Sequence, residues 1–266
     1  MPETETRPRR STVHTGRVLR TERVTPHMIR VELGGDGLHA FEAGRYTDHY
    51  VKLLFPPAHV HYVDPTDLAA IRRDLPRAQW PRMRTYTVRD WDPEAGRLTI
   101  DFVVHGPTGL AGPWAAAARP GDTLHFLGPG GGYAPSPEAD WHLLAGDESA
   151  LPAIAAALAH MPADATVRTF VEVAGPGEEQ PLPTTTPVTW LHRGPRPVGD
   201  ALTEAVTTAA FPPGTPQVFL HGEAHFVRTL RRHLATTHPE APTPSISGYW
   251  RRGADEDTWQ ATKSAW

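Results

Sequence analysis

The chain has 266 residues, 39% of them hydrophobic and 21% charged, with a formal net charge of −4 and no cysteine. That length can bury a substantial core and carry two modest domains, while the mild negative balance gives no electrostatic footprint for nucleic acid. No apolar run reaches the ~20 residues of a membrane span, and no apolar signal core opens the chain. The lack of thiols excludes disulfides, zinc–thiolate sites, iron–sulfur clusters and a cysteine nucleophile.

The simplest expectation is a cytoplasmic protein, with a monomer as the default. Residues 1–11 are polar and read as a disordered tail. From Thr12 to Leu127 the pattern is mostly β. RVLRTERV and HMIRVEL form a strand pair around Thr25-Pro26, and YVKLLF (50–55) is a strand ended by two prolines. RTYTVRDW and RLTIDFVV are joined by a hairpin connection at residues 92–96. In the second of these, Leu98, Ile100, Phe102 and Val104 alternate with Thr99, Asp101 and Val103, which gives one core face. A Gly-rich loop, a short Ala-rich helix and a turn at Pro120-Gly121 precede a closing strand, DTLHFLG. Six strands and one helix predict a small antiparallel β-barrel over 12–127.

Residues 128–140, GPGGGYAPSPEAD, read as a linker because glycine and proline interrupt any regular element. Beyond them the pattern changes to strand-then-helix. WHLLAG precedes a helix opened by DESALPAI, and TVRTFVEVA and VTWLH are strands. GDALTEAVTTAA is a helix, and QVFLHGEAHFVRTLRRHLATTH repeats strand and helix. SISGYW and a terminal helix ADEDTWQATKSAW end the chain. The fold class is therefore β + α/β, with an antiparallel barrel followed by a parallel-sheet α/β domain over 141–266.

Several stretches could carry chemistry. In RTYTVR, strand alternation places Arg84, Tyr86 and Val88 on one face and Thr85, Thr87 and Arg89 on the other. Such a strand is either an ordinary surface strand or a platform for a flat anionic ligand, with guanidinium on phosphate and the phenol against a ring. The loop at Gly109 enters a helix, so its backbone donors suit an anion, although a plain β-to-α turn reads the same way. LLAGDESALPAI is a strand, a turn and a helix start that Asp147 or Ser149 could cap, and it lacks the G-x-G-x-x-G spacing of a dinucleotide fingerprint. His59 with His61 and His221 with His225 lack a third ligand at sensible spacing, so no metal site is expected. No G-x-S-x-G occurs, which removes a serine-hydrolase reading. Lysine occurs only as Lys52 and Lys263, against 26 lysines and arginines together. Genomic base composition explains that scarcity as readily as function does, but Lys52 in YVKLLF sits among apolar neighbours and must point to water or to a ligand.

The segments MRTYTVR, LTIDFVVHG with GLAGPWA, ARPGD with LGPGGG, AGDESALPAI, HGEA and GYWRRG occur in order from about Thr12 to Trp266. In this set the chain resembles the siderophore-interacting proteins, or ferric-siderophore reductases, a branch of the ferredoxin–NADP⁺ reductase-like flavoproteins. The resemblance implies an FAD-binding barrel and an NAD(P)H-binding-like α/β domain. It puts Arg84 on the FAD pyrophosphate, Tyr86 against the isoalloxazine ring and Thr87 near its N5–O4 edge, with Thr85 and Asp101 also in the cofactor site. Val103, Val104 and His105 would follow the flavin and its ribityl chain. Gly109, Leu110 and Ala111 would cradle the phosphates, and Trp114 would wall the site. Gly146, Asp147, Glu148 and Ser149 would line the nicotinamide-facing edge, joined by His221, Gly222 and Glu223 where α/β sheets bind ligands.

A ferric siderophore is the implied substrate. Lys52 and Arg251 match the basic residues over the flavin, and Arg252 and Lys263 are further candidates. No side chain is expected to act as a catalytic acid or base, because the cofactor does the chemistry. NAD(P)H is the implied donor, with ferredoxin the alternative in some relatives. Arg193 and Arg196 fit either a 2′-phosphate or the open surface. The rival expectations are a flavin reductase-like enzyme of a biosynthetic pathway and a non-catalytic flavin or siderophore carrier.

Overall fold

A computed structural model of the chain describes residues 12–241 and 244–265, so the expected amino-terminal tail lies outside the described residues. Six antiparallel strands form the first half: β1 (Val13–Thr25), β2 (Met28–Gly34), β3 (Tyr50–Phe55), β4 (Arg82–Asp92), β5 (Arg97–Val103) and β6 (Thr123–Gly130). They close a barrel in the order β1-β2-β5-β4-β3-β6. Alternation explains the closure: Leu98, Ile100 and Phe102 of β5 are fully buried and meet Val31, Leu33, Val51, Leu53 and Phe126 from the other strands. At the β4–β5 connection Gly96 has a φ of 59° and the Asp92 carboxylate accepts from Ala95 N at 2.9 Å, which is the turn that the Asp-Pro-Glu-Ala-Gly sequence predicts.

The barrel carries two helices rather than the one expected. Helix α1 (Leu68–Asp74) lies in the excursion between β3 and β4, where Asp67 accepts from Ala70 N at 2.8 Å as its cap. Helix α2 (Ala111–Ala117) follows the Gly-rich loop after β5. Strand β6 continues to Gly130, and the following chain is pinned rather than free. Tyr133 is buried, Asp48 accepts from Gly132 N and Tyr133 N, and Gln217 accepts from Ser136 N.

The second half is a parallel sheet of β7 (Trp141–Gly146), β8 (Val167–Val173), β9 (Val188–His192), β10 (Pro216–Glu223) and β11 (Ser245–Trp250), ordered β11-β10-β7-β8-β9. Helices α3 (Leu151–Ala159), α4 (Asp200–Thr208), α5 (Ala224–Thr237) and α6 (Glu256–Thr262) accompany it. Central β7 is buried along its whole length because both its faces are covered. Leu144 packs with Ile154 and Leu158 of α3, while Trp141 and Leu143 pack with Leu202 of α4 and Leu230 of α5. Helix α3 starts at Leu151, later than the sequence suggests, because Ser149 is held in a turn by the Asp147 carboxylate.

The halves are tied by a buried carboxylate. Glu178, in the turn after β8, reaches the β1–β2 hairpin, where Thr25 Oγ1 donates to it at 2.6 Å and His27 N at 3.2 Å. His27 Nδ1 lies 2.5 Å from its other oxygen. Burial works to raise the Glu178 carboxyl, but the bonds from Thr25 and His27 outweigh it and hold the group below its ordinary 4.5. A depressed native value means that this stabilisation is present above that ordinary value and is lost as pH falls through the native one. We expect Glu178→Gln to lower stability by about 1–2 kcal/mol at neutral pH, seen as a melting temperature several degrees lower. The gap between variant and parent should close as the pH falls through the native value, below the carboxyl's ordinary 4.5.

Candidate functional site

A cleft of about 740 Å³ lies between the two halves. Its barrel wall is Lys52 of β3, Thr85, Tyr86 and Thr87 of β4, and Asp101, Val103 and His105 at β5. Its opposite wall is Glu148, Ser149, Arg193, His221, Tyr249 and Trp250 at the carboxyl ends of the parallel strands. Glu256, Gln260 and Lys263 of the C-terminal segment close one side.

Strand geometry builds the barrel wall. The Tyr86 ring lies 4.7 Å from Phe102, tilted by 32°, and Phe102 in turn lies 5.6 Å from Trp114, so the phenol rests on the barrel core. Burial pushes the Tyr86 hydroxyl up, with the Glu256 carboxylate adding to it, and keeps the phenol neutral. Asp101 is buried and bound to Arg30 at 2.7 Å through both oxygens, with Arg89 Nε at 3.8 Å from it. Asp90 also acts on both guanidiniums, so the arginines and carboxylates here are interleaved. Burial lowers Arg89, and its Nε makes no hydrogen bond. Val104, Leu110 and Trp114 pack against the barrel core, and Ala111 is buried in it. Gly109 has a φ of 90° with nothing within 4 Å of a Cβ position. The first turn of α2 has no side-chain cap, so its backbone donors are left for solvent or a ligand.

The opposite wall is built on buried carboxylates. Asp147 accepts from Ser149 N, Ser149 Oγ, Glu223 N and Trp250 Nε1 at 2.6–2.9 Å. Burial raises it against those four donors. Glu172 accepts from Gly199 N and Leu202 N at the start of α4, and Glu223 accepts from His225 N at the start of α5 and from Arg252 N. Arg193 is ion-paired with Glu148 at 2.6 Å. His221 sits against Tyr249, with ring centroids 4.8 Å apart, and its Nε2 lies 2.9 Å from Ser245 Oγ. Burial, with Lys263 nearby, pushes its imidazole down to about 3, so the ring is neutral. Its spacing partner His225 is tied to Glu223 instead.

The structure therefore brings Lys52, Thr85, Tyr86, Thr87, Asp101, Val103, His105, Glu148 and Ser149 to one cleft. Gly146 and Asp147 lie behind its α/β wall, both buried. Arg84 lies behind the barrel wall, where its guanidinium is bonded to Asp257 at 2.8 Å, a pairing that the sequence did not suggest. Arg251 stands over the Trp259 ring at 5.9 Å, and Arg252 lines a separate depression with Asp200 and Thr229. Lys263 is the second lysine in the cleft, its pKa lowered by burial against the pull of Glu256. Tyr249, Trp250 and Gln260 were not singled out from the sequence. The two aromatics stand in GYWRRG at a strand's carboxyl end, a position that signals ligand contact in parallel sheets.

Aromatic faces, hydroxyls, an uncapped helix start and cations suit a flat anionic dinucleotide, so the donor set fits FAD. Comparisons with known proteins agree. Residues 17–133 match the siderophore-interacting FAD-binding domain family, and residues 139–253 match the siderophore-interacting protein family. Ferric vibriobactin reductase ViuB from Vibrio cholerae is 32% identical over 91% of this chain and 90% of its own. The NADPH-dependent ferric-chelate reductase of Escherichia coli is 37% identical over 52% of each chain. Among solved structures, a siderophore utilization protein from T. fusca superposes with a TM-score of 0.77 at 39% identity, covering 91% of this chain and 94% of that one.

The α/β wall depends on Asp147 accepting at both oxygens. In Asp147→Asn one oxygen becomes an NH₂ that faces at least one obligate donor whichever way the amide turns, Ser149 N on one side or Glu223 N and Trp250 Nε1 on the other. We expect a loss of about 2–4 kcal/mol in chemical unfolding.

Proposed function

The chain belongs to the siderophore-interacting protein family, and on that premise we propose that it is an FAD-dependent ferric-siderophore reductase of the cytoplasm. The observation that carries this reading is the convergence of Tyr86, Thr85, Thr87 and the chain's two lysines on one interdomain cleft. When bound, FAD would supply the chemistry by taking two electrons from a donor and passing them on singly. In our reading Tyr86 offers its outer ring face to the isoalloxazine, and Thr85 and Thr87 offer hydroxyls to its polar edge. Val103 and His105 flank the flavin, while the open backbone at Gly109, Leu110 and Ala111 takes the phosphates, with Trp114 behind. Asp101 is held behind this wall between Arg30 and Arg89.

The substrate is Fe(III) wrapped in hard oxygen donors, often as an anion. Lys52 enters the cleft from the barrel and Lys263 from the C-terminal turn. Both are strongly hydrated cations that hold an anionic chelate without competing for its iron. Each two-electron donor reduces two ferric ions, and Fe(II) leaves because oxygen chelators grip it less. The protein itself ligates no iron.

The donor approaches from the carboxyl edge of the parallel sheet, where Glu148, Ser149 and the neutral His221 face the cleft. Arg193 and Arg196 are ion-paired with Glu148 and Glu204, so a dinucleotide phosphate would have to exchange with those carboxylates. NAD(P)H and ferredoxin both stay candidates, with NADPH supported by the name of the Escherichia coli relative.

Reconstituted protein mixed anaerobically with NADPH, NADH or reduced ferredoxin should lose its yellow flavin band with one of them and regain it on addition of a ferric siderophore. A folded protein that stays colourless after incubation with FAD would end the proposal. We expect Tyr86→Ala to weaken FAD by about 3–10-fold. Lys52→Ala should raise KM for an anionic ferric chelate several-fold while kcat changes by less than about 2-fold.

A further inference from the structure

We infer that Tyr50 is a specificity-determining residue, favouring ferric chelates whose iron-binding oxygens sit directly on aromatic rings over chelates built from hydroxamate arms. This deepens the proposed function and rests on its reading of the substrate. Four large hydrophobic side chains are exposed among the described residues, and Tyr50, at 38%, is the one of them that lines the cleft. Strand geometry sets what it can reach. Tyr50 and Lys52 lie on the same side of β3, in register with Thr87 and Thr85 of β4. Their Cα atoms are about 7 Å apart.

On its other edge β3 pairs with β6, and there three steps of β6, from Leu127 to Gly130, oppose the two from Lys52 to Tyr50. Such a bulge bends the backbone and re-aims what lies beside it. It carries Gly128, whose φ is 133°, and it puts Gly130 against the Tyr50 ring. A Cβ at Gly130 would come within 2.6 Å of the Tyr50 hydroxyl oxygen and 2.8 Å of Cε2, so the ring can lie there only on bare backbone. The GPGGG run, which reads as a linker in the sequence, is therefore the bed on which Tyr50 rests. A ring with one side on backbone and the rest open to the cleft is a preset plane, and it loses little freedom when a flat ligand settles on it.

The carboxylates near this plane have partners. Asp48 accepts from Gly132 N and Tyr133 N at 2.8 Å, and Glu148 is paired with Arg193. Glu256 accepts from Thr85 N, with Arg84, Lys263 and Asp257 all acting on it. Selection therefore comes from the ring beside Lys52 rather than from a net charge of the cleft. On a catecholate or phenolate arm the donor oxygens are ring substituents. One arm can then stack its ring on Tyr50 while its iron-bound oxygens face the Lys52 ammonium. A hydroxamate arm offers oxygens to Lys52 but brings no ring.

Ga(III) carries the charge of Fe(III) and takes no electron from a flavin, so its complexes read selection apart from reduction. In FAD-loaded protein, we expect Tyr50→Ala to weaken binding of Ga(III) tris-catecholate by about 3–10-fold, and at least about 3-fold more than binding of a Ga(III) tris-hydroxamate. Tyr50→Phe keeps the ring and should bind the catecholate complex within about 2-fold of the parent. Gly130→Ala, which pushes the ring off its bed, should reproduce the selective loss. Equal losses for the two complexes in Tyr50→Ala, or no loss, would overturn the inference. So would a loss of FAD affinity as large as that of the catecholate complex, because it would assign the ring to the cofactor. A parent that binds the gallium complexes but reduces neither ferric counterpart would count against the reductase, while the Tyr50 comparison would still decide selection.

Discussion

A carboxylate can leave water only where donors meet it, and the walls of this cleft are built on that requirement. Asp101 is matched by Arg30, Asp147 by four donors, and Glu172 and Glu223 by backbone N–H groups at helix starts. Glu178 is matched by the hairpin of the other half. Apart from Glu223, which caps the helix that follows it, each match joins elements that are distant in sequence, so the carboxylates set positions as well as filling space. Asp147 links the end of β7 to the end of β10 and to Trp250 of β11, which is why three strand ends present one continuous wall. Glu178 then sets the distance of that wall from the barrel.

The same constraint makes the two walls unequal toward anions. On the α/β side, the starts of α4 and α5 already hold Glu172 and Glu223, so the backbone donors that often receive phosphate in parallel-sheet folds are occupied. On the barrel side the start of α2 has no side-chain cap and Gly109 offers bare backbone. The start of α2 is thus open to an anion, while the α/β edge offers ring faces and neutral polar groups beside its carboxylates. In the proposed reading, this division would put the held cofactor on the barrel wall and the donor at the other.

Much of this was legible in the sequence, and the losses have a common cause. Strand β3 was read to the residue, the alternation of β5 gave its core face, and the switch from period-two strands to strand-then-helix located the parallel sheet. Tyr86 and Lys52, which both line the cleft, were singled out because their signals are local, a ring in a strand and a lysine among apolar neighbours. Arg84 was read with its local motif, but its partner lies 173 residues away, and no local pattern reports a partner at that distance. Helix α1 escaped because its seven residues span under two turns, too short to show periodicity. Tyr249 was passed over because the arginines beside it drew the charge argument, although the aromatic pair at the strand end was the better signal.

The charge pattern explains why lysine, so scarce here, falls where it does. Arg30, Arg84 and Arg193 around the cleft are each bound to a carboxylate of the chain, whereas neither lysine forms a salt bridge among the described residues. A guanidinium's planar fork suits permanent pairing with a carboxylate, while an ammonium on a flexible stem keeps its charge available to a passing anion. These three arginines thus serve the frame, and the lysines are the cations left to the cleft. Lys52 belongs to the barrel and Lys263 to the turn after α6, so a chelate held by both also spans the junction of the two halves. In the proposed reading, substrate binding and the docked position of the C-terminal segment would favour each other through the same pair of charges.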